Sequence, residues 1–190
     1  TMSTFGLVRG FRSSDSTSQP LRLDKATNSI QTIDYAHHEI HAGSGFYYTD
    51  SVELNSAGTQ DYMITTPDTT KWAHMIFMVT GSAITQVQIY EAGNRTGTAA
   101  QTIVNANRNS ATTSVLTLHK GTSGGSTDGT LIWQRKSGSS SAQSRTGLEA
   151  IHDAEIILKQ NTKYILRITS GTNANLTNLM LEWYEHTDIA

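Results

Sequence analysis

The chain of 190 residues contains no cysteine. Disulfides and thiolate–metal sites are therefore excluded, and the composition fits synthesis in a reducing cytosol. Charge is also scarce: charged residues make up 16% of the chain and the net charge is −2. A phosphate backbone demands clustered cations, so nucleic acid is not the expected partner. No apolar stretch approaches the ~20 residues that a membrane helix needs, and no signal-peptide apolar core follows the N-terminus, so no membrane partner is expected. Helical periodicity is missing as well. No segment sustains apolar residues at i, i+3, i+4, i+7 over several turns, and the best helical candidate, Gly147–Asp153, is short.

What the chain has in abundance is Ser and Thr, about a quarter of all residues. Threonine's branched Cβ suits the half-exposed pleated surface of a sheet. The length supports one well-buried core. Two segments divide the chain. Residues 1–45 carry the polar run Ser13–Pro20 and the cations Arg9, Arg12, Arg22 and Lys25, and they read as an extended N-terminal arm that orders on assembly. Residues 46–190 read as the folded domain. There Met75–Val79 is apolar at every position, as in a strand covered on both faces. Gly81-Ser82 then leads into Ala83–Tyr90, where Val87 and Ile89 alternate with Gln86 and Gln88, so a two-residue hairpin is expected at Gly81-Ser82. Further strands are expected at Val115–Lys120 and Thr130–Lys136, flanking a flexible loop over Gly121–Gly129. Another hairpin is expected between Glu155–Lys159 and Lys163–Thr169, and a last strand near Asn178–Tyr184 with Leu179, Leu181 and Trp183 on one side. Seven to nine strands with Ser/Gly/Asn-rich connections imply an all-β, two-sheet β-sandwich, jelly-roll-like, with strand order open.

Several motifs invite a chemical reading. His37, His38, Glu39 and His41 crowd together. The zincin helix needs His at i and i+4 with Glu after the first His; His37 and His41 have that spacing, but the residue after His37 is His38. An extended chain would instead point His37, Glu39 and His41 to one side as metal candidates, although a further ligand or water and an orienting second shell would be needed. The failed spacing favours a polar, hydrogen-bonded segment over a metal site. Gly121-Thr122-Ser123-Gly124-Gly125 matches the hydrolase elbow in form, but another strand follows where a helix is required, so Ser123 is not expected to be catalytic. The same loop lacks the Gly-Lys-Ser/Thr ending of a phosphate loop. Asn94-Arg95-Thr96 and Asn175-Leu176-Thr177 are glycosylation sequons in form only. Glu149, Asp153 and Glu155 near His152 read as a solvated face. Trp72, Trp133 and Trp183 read as core or rim rather than a sugar platform. No catalytic residue and no cofactor is expected.

The segments IDYAHHEIHAGSGFYYTD (33–50), PDTTKWAHM (67–75), NANRNSATTS (105–114), EIILKQNTKYILRITS (155–170) and LEWYEHTD (181–188) together resemble head decoration, or cement, proteins of tailed bacteriophages. The resemblance implies a non-enzymatic virion structural protein. It would be made in the host cytoplasm, sit on the capsid surface, bind the major capsid protein and stabilise the expanded head shell, most simply as a homo-oligomer, dimer or trimer. Arg9, Arg12, Arg22, His37, His38, Glu39 and His41 are then the expected assembly contacts. A glycan- or receptor-binding sandwich of a tail or fibre is the alternative, and a metal-dependent hydrolase centred on His37, Glu39 and His41 is a third.

Overall fold

The computed structural model describes residues 9–11, 18–20, 35–139, 148–151 and 155–187. Two compact units are present, Thr1–His37 and His38–Ala190. In the first, β1 (Arg9–Phe11) and β2 (Ser18–Pro20) form an antiparallel ribbon in which Arg9 opposes Pro20. One helix, α1 (Tyr35–Ala42), follows. It occupies the end of the segment read from sequence as an arm.

The described residues of the second unit form twelve strands: β3 (Gly45–Leu54), β4 (Thr59–Thr65), β5 (Trp72–Gly81), β6 (Thr85–Ala92), β7 (Thr96–Ala100), β8 (Val104–Asn105), β9 (Thr117–Ser123), β10 (Gly129–Ser137), β11 (Leu148–Ile151), β12 (Ile156–Leu158), β13 (Lys163–Ser170) and β14 (Asn175–His186). One sheet has the order β11-β5-β14-β3-β8, with β12 also on β5; the other has the order β10-β6-β13-β4-β9-β7. The pairings are nested: β3 with β14, β4 with β13, β5 with β11 and β12, β6 with β10. First pairs with last and the pairs close inward, which is a long hairpin rolled into two sheets, the jelly roll. Strands β7 to β9 are an insertion between the two innermost strands that widens both sheets past β3 and β4.

This nesting corrects the two expected hairpins. Strands β5 and β6, joined at Gly81-Ser82, lie in opposite sheets, and so do β12 and β13, joined at residues 159–162. Gly81 serves close approach, because a Cβ there would meet Thr85 Oγ1 at 2.1 Å. The polar backbone of the first crossing is met by fully buried Asn175, with the Thr85 hydroxyl donating to Ala83 O at 3.0 Å. Asn175 Oδ1 accepts from Ala83 N (2.9 Å), and its Nδ2 donates to Ile84 O (3.0 Å) and Thr85 Oγ1 (2.9 Å). The second crossing hangs on buried Thr66, whose hydroxyl donates to Lys159 O (2.6 Å) and accepts from Thr162 N (2.9 Å). A backbone that leaves a sheet inside the fold must find such partners.

Between the sheets lie Phe46, Tyr62, Phe77, Val79, Val87, Tyr164, Leu166, Ile168, Leu179, Leu181 and Trp183. Strand alternation places them: in β14 the buried positions are 175, 177, 179, 181, 183 and 185. The same alternation in β5 buries Ala73, Met75, Phe77 and Val79, while Trp72, His74, Ile76 and Met78 on the other face are half-buried. Met75–Val79 is thus fully covered on one face only. Residues 148–151, within the expected helix, form strand β11.

Candidate functional site

The His-rich stretch is helical. Its C-terminus is closed by a Schellman motif: Ser44 N donates to Glu39 O (2.8 Å), Gly43 N donates to Ile40 O (3.0 Å), and Gly43 supplies a φ of 79°. In a helix Glu39 lies on the side opposite His37 and His41. Accordingly Glu39 is buried at 7% exposure and both histidines are exposed. The extended arrangement that would align His37, Glu39 and His41 is overturned. His38 Nδ1 sits 3.4 Å from Glu39 Oε1. Among the described residues no group of three or more His, Cys, Asp or Glu is arranged to enclose a metal ion. Arg9 lies on β1, whereas Arg12, Arg22 and Lys25 fall outside the described residues.

The helix end is held by the asparagine-rich segment 105–112. Asn105 Nδ2 donates to Gly43 O and to Thr112 O, both at 2.9 Å, and Asn107 Nδ2 donates to His41 O at 3.1 Å. Gly43 and Gly45 are required here, since a Cβ would meet Ser110 Oγ at 2.4 Å or Ile40 Cγ1 at 2.8 Å. Beside this contact, Glu185 continues the inward face of β14 and is 1% exposed. Its carboxylate accepts from the Ser114 hydroxyl, from Val115 N (3.0 Å) and from Trp183 Nε1 (3.1 Å), while its own N–H donates to Ser44 O (2.9 Å). Residues 43–44, 105–115 and 183–185 thus meet in one polar lock. A carboxylate in the buried phase of Leu179, Leu181 and Trp183 was the sequence signal for it.

A second polar cluster lies on the outer face of the other sheet. Arg167 on β13 grips Asp61 on β4 through two bonds (2.7 and 2.9 Å) and reaches Asp128 Oδ2 at 2.7 Å. Arg95 binds the other oxygen of Asp128 at 2.7 Å. The Arg167 guanidinium, helped by Arg95 and opposed by burial, holds the Asp128 carboxyl below its ordinary range. Asp61 and Asp128 in turn push Arg167 upward against burial. Asn94 adds a clamp, its Oδ1 accepting from Ser126 N and Thr127 N at 2.9 and 3.0 Å. The Gly121–Gly129 segment is therefore tied to the sheet through its Asp and backbone groups, and its first residues belong to β9. Ser123 ends that strand and no helix follows, so the elbow geometry is absent.

The third cluster was not anticipated. His74 on β5 and Tyr184 on β14 are direct cross-strand partners, stacked at 4.7 Å. His74 Nδ1 lies 3.0 Å from Glu155 Oε2, to which the Tyr184 hydroxyl also donates at 2.8 Å. His74 Nε2 lies 2.8 Å from His186 Nε2. Glu155 thus has a defined partner, while residues 152–154 fall outside the described residues. His74 and His186 are 112 positions apart in sequence, so only the β5–β14 register brings them together.

On the same sheet face, Thr49, Ser51, Met78, Thr80, Asn178 and Met180 line an open groove of about 610 Å³. Ser51 Oγ donates to Asn178 Oδ1 (2.6 Å) and Asn178 Nδ2 donates to Thr80 Oγ1 (3.1 Å), a polar ladder across three strands. The tryptophans form no platform there. Trp183 is in the core, and Trp133 packs edge-on against Phe77 at 4.9 Å. Asn175 is fully buried, so its sequon is structural.

The chain matches no protein-family model, no curated protein and no solved structure. Among the described residues no helix is long and apolar enough to cross a membrane.

Proposed function

We propose that this chain is a non-enzymatic structural protein of a tailed-phage virion, a decoration protein that binds the major capsid protein and stabilises the expanded head. The observation that carries the reading is the polar lock. Three of the segments that resemble decoration proteins converge on Gly43, Asn105 and Glu185, and they use their polar groups to hold the fold together. A jelly roll is also a frequent capsid architecture, although fold alone does not assign function. In this reading the protein works as a homo-oligomer on the virion surface, with Arg9, Arg12, Arg22 and the His37–His41 stretch contributing assembly contacts. The test is to mix purified protein with expanded capsids that lack it. Stoichiometric binding seen by electron microscopy, with a raised capsid melting temperature, is the expected result, and absence of binding rejects the proposal.

A second reading, a glycan-binding module of a tail or fibre, is favoured by the Ser51–Asn178–Thr80 ladder, whose hydroxyl and amide groups suit a hydroxyl-rich ligand. A glycan array that lights up with the wild type and loses signal with Asn178→Ala would select it over capsid binding.

A further inference from the structure

The two imidazoles at the end of β14 pose a chemical question. A contact of 2.8 Å between two Nε2 atoms holds one proton and one lone pair. His74 Nδ1 faces Glu155 Oε2 at 3.0 Å and the Tyr184 hydroxyl at 3.1 Å; with the hydroxyl proton given to Glu155 and the carboxylate able only to accept, the arrangement favours the tautomer with its proton on Nδ1. Its Nε2 therefore presents a lone pair toward His186, whose Nε2–H donates. Stacking on Tyr184 at 4.7 Å and the bond from the Tyr184 hydroxyl to the same Glu155 oxygen fix the plane of the His74 ring.

We propose that His74 and His186 form a binding site for a borderline divalent transition ion such as Zn²⁺, with Glu155 as the outer carboxylate that orients His74. Such carboxylate–histidine pairs are the standard support of metal-bound imidazole, fixing its tautomer and raising its basicity. Binding moves the His186 proton from Nε2 to Nδ1, so that both Nε2 lone pairs point at the ion and no net proton is lost. With Zn–N bonds of about 2.0–2.1 Å in tetrahedral geometry, the two nitrogens must stand roughly 3.3 Å apart, an opening of about half an ångström from the present contact. That opening falls to the side-chain torsions of His186, because Tyr184 and Glu155 hold the His74 ring. Water, or a donor from a second chain, completes the shell. The site uses none of His37, Glu39 and His41; in α1 the two histidines share one face and Glu39 lies on the other.

The experiment is calorimetric titration of the full, tag-free chain with ZnCl₂. The expected result is saturable binding of one ion per chain, lost or weakened at least tenfold in His74→Ala and in His186→Ala. Glu155→Gln weakens binding roughly 10–100-fold, the usual effect of removing an orienting carboxylate. A His37→Ala/His41→Ala variant binds as the wild type does. Thermal melts of each variant without metal confirm folding, and Glu155→Gln keeps both ligands should an alanine variant fail to fold. Absence of saturable binding by the wild type overturns the proposal. So does binding that survives both single alanine variants, or that disappears with His37 and His41.

Discussion

Glu185 shows how a single side chain can hold several segments. The Ser114 hydroxyl, the Val115 N–H and the Trp183 indole N–H all aim at its buried carboxylate. Glu185→Ala should therefore cost on the order of 1–3 kcal/mol for each donor left without an acceptor. Urea denaturation measures this, and a change below roughly 0.5 kcal/mol, the range of an ordinary surface substitution, would contradict it. Titration supplies a second residue-scale expectation. Burial raises Asp50, but the Lys120 and Tyr62 hydrogen bonds outweigh it and hold the carboxyl low; Lys159 does the same for Glu91, and Arg167 for Asp128. A carboxyl whose folded pKa is depressed stabilises the fold above its unfolded pKa, and that contribution is lost as pH falls through the folded value. Stability should drop from about pH 4 downward. Asp128→Asn should lower stability at neutral pH and flatten the acid limb. Burial raises Tyr48 and Tyr164 to about 12 and Tyr62 further, so their contribution is present below the ordinary value of 10.0 and lost above it. Tyrosinate absorbance should rise together with unfolding at the alkaline end.

At the scale of elements, strands were legible and partners were not. The alternation in β14 and β6 follows from side chains pointing to opposite faces, which sequence displays directly. Which sheet a strand joins depends on what meets it from far along the chain. Gly81-Ser82 has hairpin chemistry, yet Asn175, more than ninety residues later, accepts and donates the bonds that let the chain cross sheets there. Helix α1 was hidden for a related reason. It spans eight residues without a strong apolar stripe, and its end is secured by Gly43 and by Asn105 from elsewhere. Gly43→Ala tests this dependence. The left-handed φ and the clash with Ser110 should cost about 1–3 kcal/mol. Amide exchange should quicken along Tyr35–Ala42 while the β5–β14 pairing stays protected. Unchanged exchange in the helix would show that the cap is dispensable. The His74 cluster was the least legible feature, because nothing in sequence relates residue 74 to residue 186 before the β5–β14 register is known.

At the scale of the molecule, the nested pairing makes the sandwich a structure of long-range contacts. The first strand of the roll pairs with the last, so loop-closure entropy must be met before most native hydrogen bonds form. Stopped-flow refolding should accordingly fall in the slow range for single domains, milliseconds to seconds, with fluorescence of core Trp183 as the probe. Microsecond folding would mean that a local substructure forms first and carries most of the stability. The jelly-roll class was readable from composition and strand spacing, whereas the insertion of β7 to β9 and the role of the segment 105–114 in holding α1 required the fold.

The position of β14 has one more consequence. It is the last strand of the roll to leave the ribosome, yet it fills the gap between β3 and β5 at the centre of its sheet. Until it arrives, the nascent chain carries two facing strand edges with open hydrogen-bonding groups, the usual template for adhesion to another chain. Capture of this one strand closes both edges at once, because β14 pairs with β3 on one side and with β5 on the other.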